Sequence, residues 1–244
     1  MAGFQFKQFS VRHDRCAMKV GTDSILFGAW ANIDQVRSVL DMGCGSGLLA
    51  LMIAQRLTQR LTESDSDYQI TAIEIELNAA QQAKENAQQS PWAQRIRVVN
   101  RDLITFAANG QLRFDLIIAN PPYFETGVDC RDDMRETARY INTSSGHLQW
   151  LQLAEKMLNP QGRIAFVLPY TAAENLLQQL EQTALYCTRR TEVITKQGKA
   201  PQRLLLEFSF NESAVQENQI VVYQPDNQYH PDFIALTRDF YLKL

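Results

Sequence analysis

The stretch Asp41-Met42-Gly43-Cys44-Gly45-Ser46-Gly47 decides the fold of this chain. It follows a short apolar run at residues 38–41 and precedes a segment, 48–61, whose apolar residues recur at helical spacing. A strand, a glycine-rich turn and a helix in that order are typical of an open α/β sheet, which binds ligands at the carboxyl ends of its strands. The glycines allow a tight turn and a close approach of the backbone to a ligand, because they carry no Cβ.

The same alternation of strand and helix continues along the chain. Apolar, β-rich runs predict further strands at 69–75, 96–99, 114–119 and 163–168, and helical spacing predicts helices at 77–89, 148–158 and 172–182. Alternation of this kind predicts a parallel sheet with helices on both faces.

The last two predicted core strands, 187–195 and 203–210, break this alternation. The segment around Gly198 that joins them is too short for a crossover helix, so the pair is expected to be antiparallel. We therefore predict a doubly wound, Rossmann-like sheet of seven strands with one antiparallel strand, which is the class I methyltransferase arrangement. A short extra strand at 220–223 and a helix at 231–242 are expected beyond it.

We expect residues 1–244 to form a single methyltransferase domain. In that division, 1–34 is an N-terminal extension, 35–210 is the catalytic core, and 211–244 is a tail packed on the core.

Composition excludes several classes of protein. The chain has 244 residues, a formal net charge of -3 and no apolar run long enough to span a bilayer. Its four cysteines are scattered, without the spacing of metal ligands. We expect a cytoplasmic monomer with reduced thiols, no metal and no membrane segment.

Acidic residues at the ends of three successive strands indicate the cofactor. Asp41 suits a ligand that carries an ammonium group and no phosphate, such as S-adenosylmethionine. Glu74 ends the next strand, where a carboxylate binds ribose hydroxyls, and Ile75 would flank the adenine ring. Asp102 and Leu103 follow the third strand and are expected to contact the adenine amino group and ring.

The most specific motif is Asn120-Pro121-Pro122-Tyr123, directly after the predicted strand at 114–119. The exocyclic amino group of a base is a poor nucleophile because its lone pair is delocalised into the ring. The side-chain oxygen of Asn120 and the carbonyl of Pro121 can accept its two hydrogens and favour a tetrahedral nitrogen. Pro121 and Pro122 restrict the backbone, and Tyr123 offers a face on which the base can stack.

These motifs leave the methyl acceptor open. A base inside a duplex could not reach the loop, so a nucleic-acid target must be unpaired or flipped out. Adenine, cytosine or a glutamine side-chain amide, as in release-factor methyltransferases, would each fit the tetrapeptide. An inactive methyltransferase-like scaffold is disfavoured by the intact acids and the intact motif.

The N-terminal block narrows the choice. Residues 4–9 and 11–26, then Gly28-Ala29-Trp30, the glycine loop and the Asn-Pro-Pro-Tyr-Phe run resemble the bacterial tRNA1(Val) (adenine(37)-N6)-methyltransferase family. The resemblance covers essentially the whole chain. It implies methylation of the adenosine 3′ to the anticodon, with Lys19, Thr22 and Asp23 lining the cofactor pocket. No DNA-recognition insert and no helical N-terminal domain of the release-factor type are visible, which favours a tRNA substrate.

Basic side chains could hold RNA phosphates, although scattered solvated charges explain them equally well. The candidates are Lys7, Arg12, His13, Arg15, Lys19, Arg189, Arg190, Lys196, Lys199 and Arg203. Residues 125–145, with Arg131, Arg135 and Arg139 at helical spacing, could form either a mobile lid or a surface turn. His147 and His230 are assigned no catalytic role.

Overall fold

The structure, a computed structural model, describes residues 3–60, 67–108, 112–122 and 146–243. Its strands are β1 (Gly3–Gln5), β2 (Ser10–Arg12), β3 (Ser38–Met42), β4 (Gln69–Glu74), β5 (Ile96–Asn100), β6 (Phe114–Ala119), β7 (Leu158–Pro169), β8 (Tyr186–Lys196), β9 (Arg203–Ser209) and β10 (Gln216–Tyr223). Its α-helices are α1 (Thr22–Trp30), α2 (Leu48–Arg60), α3 (Leu77–Gln88), α4 (Leu103–Ala108), α5 (Gly146–Lys156), α6 (Tyr170–Gln178) and α7 (Pro231–Thr237).

The main sheet has eight strands in the order β10-β8-β9-β7-β6-β3-β4-β5. Strand β9 is antiparallel to both of its neighbours, and all other neighbouring pairs are parallel. The predicted doubly wound α/β fold with one antiparallel strand is thus confirmed. The seven predicted strands are all present, and β10 extends the sheet by an eighth at its edge.

Helices cover both faces of the sheet because its central strands are apolar on both sides. In β3, Val39 packs with the cluster that includes α1, α2 and α7, whereas Leu40 packs with the cluster that includes α5 and α6. In β6, Ile117 and Ile118 divide between the same two clusters. Successive side chains of a strand point to opposite faces, so a nearly continuous apolar run is what a central parallel strand requires.

The N-terminal segment packs into this core. Phe6, Phe9 and Val11 are buried, and helix α1 was not predicted from the sequence. From Ile25 to Trp30 every residue of α1 is buried, so the helix has no polar face and shows no amphipathic period.

Several predicted bounds differ from the structure: the helix expected at 231–242 ends at Thr237, and the boundary between α5 and β7 is shifted around Pro160. Strand β7 begins at Leu158, five residues before the predicted start at 163, and α5 ends at Lys156. The pairing of β6 with β7 shifts register between Phe114 and Leu116. At such a break in the regular hydrogen-bond ladder, the strand can include Pro160, which has no backbone N–H to donate.

No helix in the described ranges is long and apolar enough to cross a membrane.

Asp115 joins the starts of three neighbouring strands. Its Oδ2 accepts hydrogen bonds from the amides of Arg37 and Ser38, each at 2.9 Å, and its Oδ1 accepts one from Asn159 Nδ2 at 2.7 Å. Burial by itself would raise the pKa of this carboxyl, but the hydrogen bonds outweigh burial and lower the pKa.

We expect Asp115→Asn to reduce the free energy of unfolding by about 1–3 kcal/mol at pH 7, since an amide cannot accept all of these hydrogen bonds. A depressed folded-state pKa means that the stabilisation is present above the unfolded pKa and is lost as the pH falls through the folded pKa. The difference between wild type and variant should therefore be constant near neutrality and shrink as the pH falls below about 4. Urea denaturation across this range measures it, with the exposed Asp239→Asn as control. A difference that grows on acidification would contradict the assignment.

Candidate active site

The glycine loop follows β3 with three left-handed residues. The φ angles of Gly43, Gly45 and Gly47 are 68°, 53° and 78°, a region that other residues rarely adopt. A Cβ at Gly43 would lie 2.7 Å from a ring carbon of Trp150, whereas a Cβ at Gly45 would meet no atom within 4 Å. Gly43 is therefore required for packing, and Gly45 presents its backbone to open space.

Asp41 lies at the base of this loop and is completely buried. Its Oδ2 accepts the amide of Ala50 in α2 at 3.0 Å, while its Oδ1 has no hydrogen-bond partner among the described residues. Burial raises the pKa of the carboxyl to about 7. An unsatisfied buried acceptor is costly, so this oxygen suits a donor such as an ammonium group or a bridging water.

Glu74 holds the middle of the loop from the end of β4. Its Oε2 accepts the amide of Gly45 at 2.8 Å, and its Oε1 accepts the amide of Glu76 at 3.0 Å. A carboxylate has about four acceptor positions, so both oxygens can still accept ribose hydroxyls. Burial raises the pKa of Glu74, and the neighbouring Ile75 is 47% exposed.

Asp102 caps α4, a role that the sequence analysis did not foresee. Its Oδ1 accepts the amide of Thr105 at 2.8 Å, and hydrogen bonds from Thr105 lower its pKa. Leu103 packs partly buried against the core. Asn100, also not foreseen, ties the ends of β4 and β5 together through hydrogen bonds to the carbonyls of Glu74 and Ile75 at 2.9 Å.

Asn120 directly follows β6, and its amide is held from one side only. Its Nδ2 donates to Ser24 Oγ of α1 at 3.0 Å, whereas its Oδ1 is buried without a hydrogen-bond partner in the described part of the chain. The free acceptor is the atom that the sequence analysis assigned to the target amino group.

The prolines of the motif are also anchored. Pro121 is buried and Pro122 is half-buried. His147 of α5 makes a hydrogen bond to the Pro122 backbone, and burial lowers the pKa of its imidazole. Because proline has no N–H, His147 must donate to the Pro122 carbonyl. Tyr123 and the segment 125–145 lie outside the described residues.

The N-terminal candidates lie around the first turn of α1. Asp23 Oδ2 forms an ion pair with Arg203 Nε of β9 at 3.0 Å, Thr22 is half-buried, and Lys19 is exposed. A role for these three residues in the cofactor pocket stays a prediction.

Several of the basic side chains are engaged within the chain. Arg189 stacks on Trp30 with its guanidinium carbon 3.7 Å from the ring centroid. Two others form ion pairs, Arg15 with Glu85 and Arg190 with Glu174. Two lysines donate hydrogen bonds to neutral oxygens, Lys196 to the Asn227 side chain and Lys7 to the Arg238 carbonyl. Contact of these basic residues with RNA stays a prediction.

No group of three or more His, Cys, Asp or Glu side chains in the described ranges has an arrangement that could hold a metal ion. Cys16, Cys44 and Cys187 are free thiols, and Cys130 lies outside these ranges.

Comparison with known proteins identifies the family. A methyltransferase domain family matches residues 33–213. The tRNA1(Val) (adenine(37)-N6)-methyltransferase of Pasteurella multocida is 52% identical over 240 residues, which cover 98% of this chain and 97% of that protein. The enzyme of the same name from Haemophilus influenzae is 49% identical over 243 residues and 100% of both chains.

Solved structures support the fold at lower identity. A predicted O-methyltransferase of Agrobacterium tumefaciens superposes with a TM-score of 0.65 at 15% identity, covering 89% of this chain and 96% of that one. A ribosomal protein L11 methylase of Lactobacillus delbrueckii gives a TM-score of 0.51 at 18% identity, with 78% of each chain covered. With relatives of about 50% identity over nearly its whole length, this chain belongs to the tRNA1(Val) (adenine(37)-N6)-methyltransferase family.

Proposed function

We propose that this protein transfers the methyl group of S-adenosylmethionine to the N6 amino group of adenosine 37 in tRNA1(Val). The observation that carries the chemistry is the buried Oδ1 of Asn120, an acceptor at the carboxyl end of β6 that has no hydrogen-bond partner among the described residues. The choice of tRNA and nucleotide rests on the names of the relatives that share about half of the sequence.

The residues at the sheet edge fit the cofactor. Gly45 faces open space and is flanked by two carboxylates, the buried Asp41 with its unsatisfied oxygen and Glu74. We assign Asp41 to the amino-acid end of S-adenosylmethionine and Glu74 to its ribose, with Ile75 beside the adenine. Asp102 and Leu103 complete the adenine site from β5. When bound, the cofactor supplies a methyl group already activated by a sulfonium.

The chain then has to hold the target nitrogen in place. Asn120 Oδ1 accepts one hydrogen of the amino group and the Pro121 carbonyl accepts the other, which localises the lone pair on nitrogen. Holding the nitrogen at near-attack distance converts binding energy into rate, so a strong general base and a metal ion are not required. The anchoring of Pro122 by His147 keeps the adjacent Pro121 carbonyl from turning away.

The proposed nucleotide suits this site. An adenosine 3′ to an anticodon lies in a single-stranded loop, so its base can enter the pocket without breaking a pair. We also propose that the enzyme acts in the cytoplasm, where its tRNA substrate is found, and that it acts as a monomer.

A direct test uses tRNA1(Val) transcribed without modifications, tritiated S-adenosylmethionine and the purified protein. We expect label in N6-methyladenosine and its loss when adenosine 37 is replaced by guanosine. Label in a glutamine-containing release factor or in duplex DNA, with none in the tRNA, would overturn the proposal.

We expect Asn120→Ala to abolish methyl transfer while cofactor binding survives, because the acceptor for the target amino group is removed and the glycine loop with its two acids is left unchanged. Single-turnover transfer to tRNA and calorimetric titration with S-adenosylhomocysteine measure the two quantities separately. Loss of cofactor binding in this variant would refute the division of roles between Asn120 and the glycine loop.

We expect Glu74→Gln to raise the Kd for S-adenosylhomocysteine by about 10- to 100-fold, since a hydrogen bond to a charged group contributes roughly 1.5–3 kcal/mol. Glu181→Gln, an exposed carboxylate beyond α6, is the matched control and should bind normally. An unchanged Kd in the Glu74 variant would show that this residue supports the glycine loop and does not bind the cofactor.

A further inference from the structure

We propose that Ser24 is the positioning residue that fixes the productive orientation of the Asn120 amide. This inference rests on the proposed function, because it assigns a task to Ser24 only if Asn120 accepts a hydrogen from the target amino group. Ser24 does not touch the reacting atoms, and it acts through Asn120.

The contact is specific. Ser24 Oγ lies 3.0 Å from Asn120 Nδ2, across 96 residues of sequence. The opposite end of the same amide, Oδ1, is buried and has no hydrogen-bond partner in the described ranges. The amide is thus held by its donor end, and its acceptor end is left for a ligand.

Orientation matters because an amide has two different ends. If the group turned by 180°, its NH₂ would face the target amino group, donor against donor, and the hydrogen bond that localises the lone pair would be lost. In the productive orientation Nδ2 needs an acceptor. A serine hydroxyl oxygen has two lone pairs, so Ser24 Oγ can act as that acceptor.

Helix α1 delivers Ser24 from a rigid platform. The Asp23–Arg203 ion pair fixes the residue next to Ser24 in the first turn of the helix. The rest of the helix, from Ile25 to Trp30, is buried. A positioning group held by packed neighbours keeps its geometry better than one on a free loop.

The test compares wild type with Ser24→Ala and Ser24→Thr, which removes or retains the hydroxyl. Ser90→Ala is the matched control: this serine is also hydrogen-bonded, but its bonds are local, to the Ala87 carbonyl and the Trp92 amide after α3. Each protein is assayed for kcat and KM with unmodified tRNA1(Val), for Kd with S-adenosylhomocysteine, and for Tm.

We expect kcat of Ser24→Ala to fall on the order of tenfold, the effect of leaving one buried donor unpaired in the transition state. Kd should stay close to wild type, and Tm should fall by only a few degrees, the effect of about 1 kcal/mol in a chain of this size. Ser24→Thr should recover most of kcat, and Ser90→Ala should leave kcat unchanged. A kcat of Ser24→Ala within twofold of wild type would overturn the proposal. A rise in Kd for S-adenosylhomocysteine, or a fall in Tm, large enough to account for the loss of kcat would overturn it as well. Equal loss of kcat in both Ser24 variants would also overturn it. Failure of the proposed function is distinct, because wild type itself would then leave tRNA1(Val) unmethylated.

Discussion

The common register of three parallel strands is the constraint on which the site depends. Met42 of β3 lies opposite Ile73 of β4 and opposite Ala119 of β6. The next residue in each strand, Gly43, Glu74 and Asn120, therefore lies level at the carboxyl edge. A slip of one residue in any pair would turn that strand's side chains to the other face. Because both faces are packed with apolar side chains, such a slip is strongly opposed, and the fold itself aligns the cofactor loop with the catalytic asparagine.

The edge is also where polar groups are left incompletely satisfied. Buried polar atoms in folded proteins nearly always have hydrogen-bond partners, yet one oxygen of Asp41 and the side-chain oxygen of Asn120 have none among the described residues. Asp41 lies near the carboxyl end of β3, and Asn120 directly follows β6, so both are next to the apolar centre of the sheet. The apolar sheet is stable enough to offset the free-energy cost of leaving these two acceptors without a hydrogen bond. They suit the cationic end of the cofactor and the amino group of the substrate, each of which brings N–H donors.

Much of this arrangement could be predicted from local sequence. The glycine loop, the acids at strand ends and the Asn-Pro-Pro motif are short patterns whose meaning depends only on a preceding strand. Helix α1 escaped prediction because its buried residues show no alternation with polar ones. The contact of Ser24 with Asn120 could not be predicted because a single serine forms no sequence pattern. Only the tertiary fold brings the two residues together. The stacking of Arg189 on Trp30 could not be predicted for the same reason, since it joins residues 159 apart.

The N-terminal block, which carries most of the family resemblance, connects the two halves of the site. Asn86 of α3 is buried, and its Nδ2 donates to the carbonyls of both Arg12 and Ser46. The block is thereby fixed to the glycine loop at one end. At its other end, Ser24 contacts Asn120. Sequence changes in this block would therefore disturb the placement of the cofactor and of the methyl acceptor together, although few of its side chains need to touch either. This dual attachment gives a physical reason why the segment distinguishes the chain from other amino-methylating enzymes that share only the loop and the tetrapeptide.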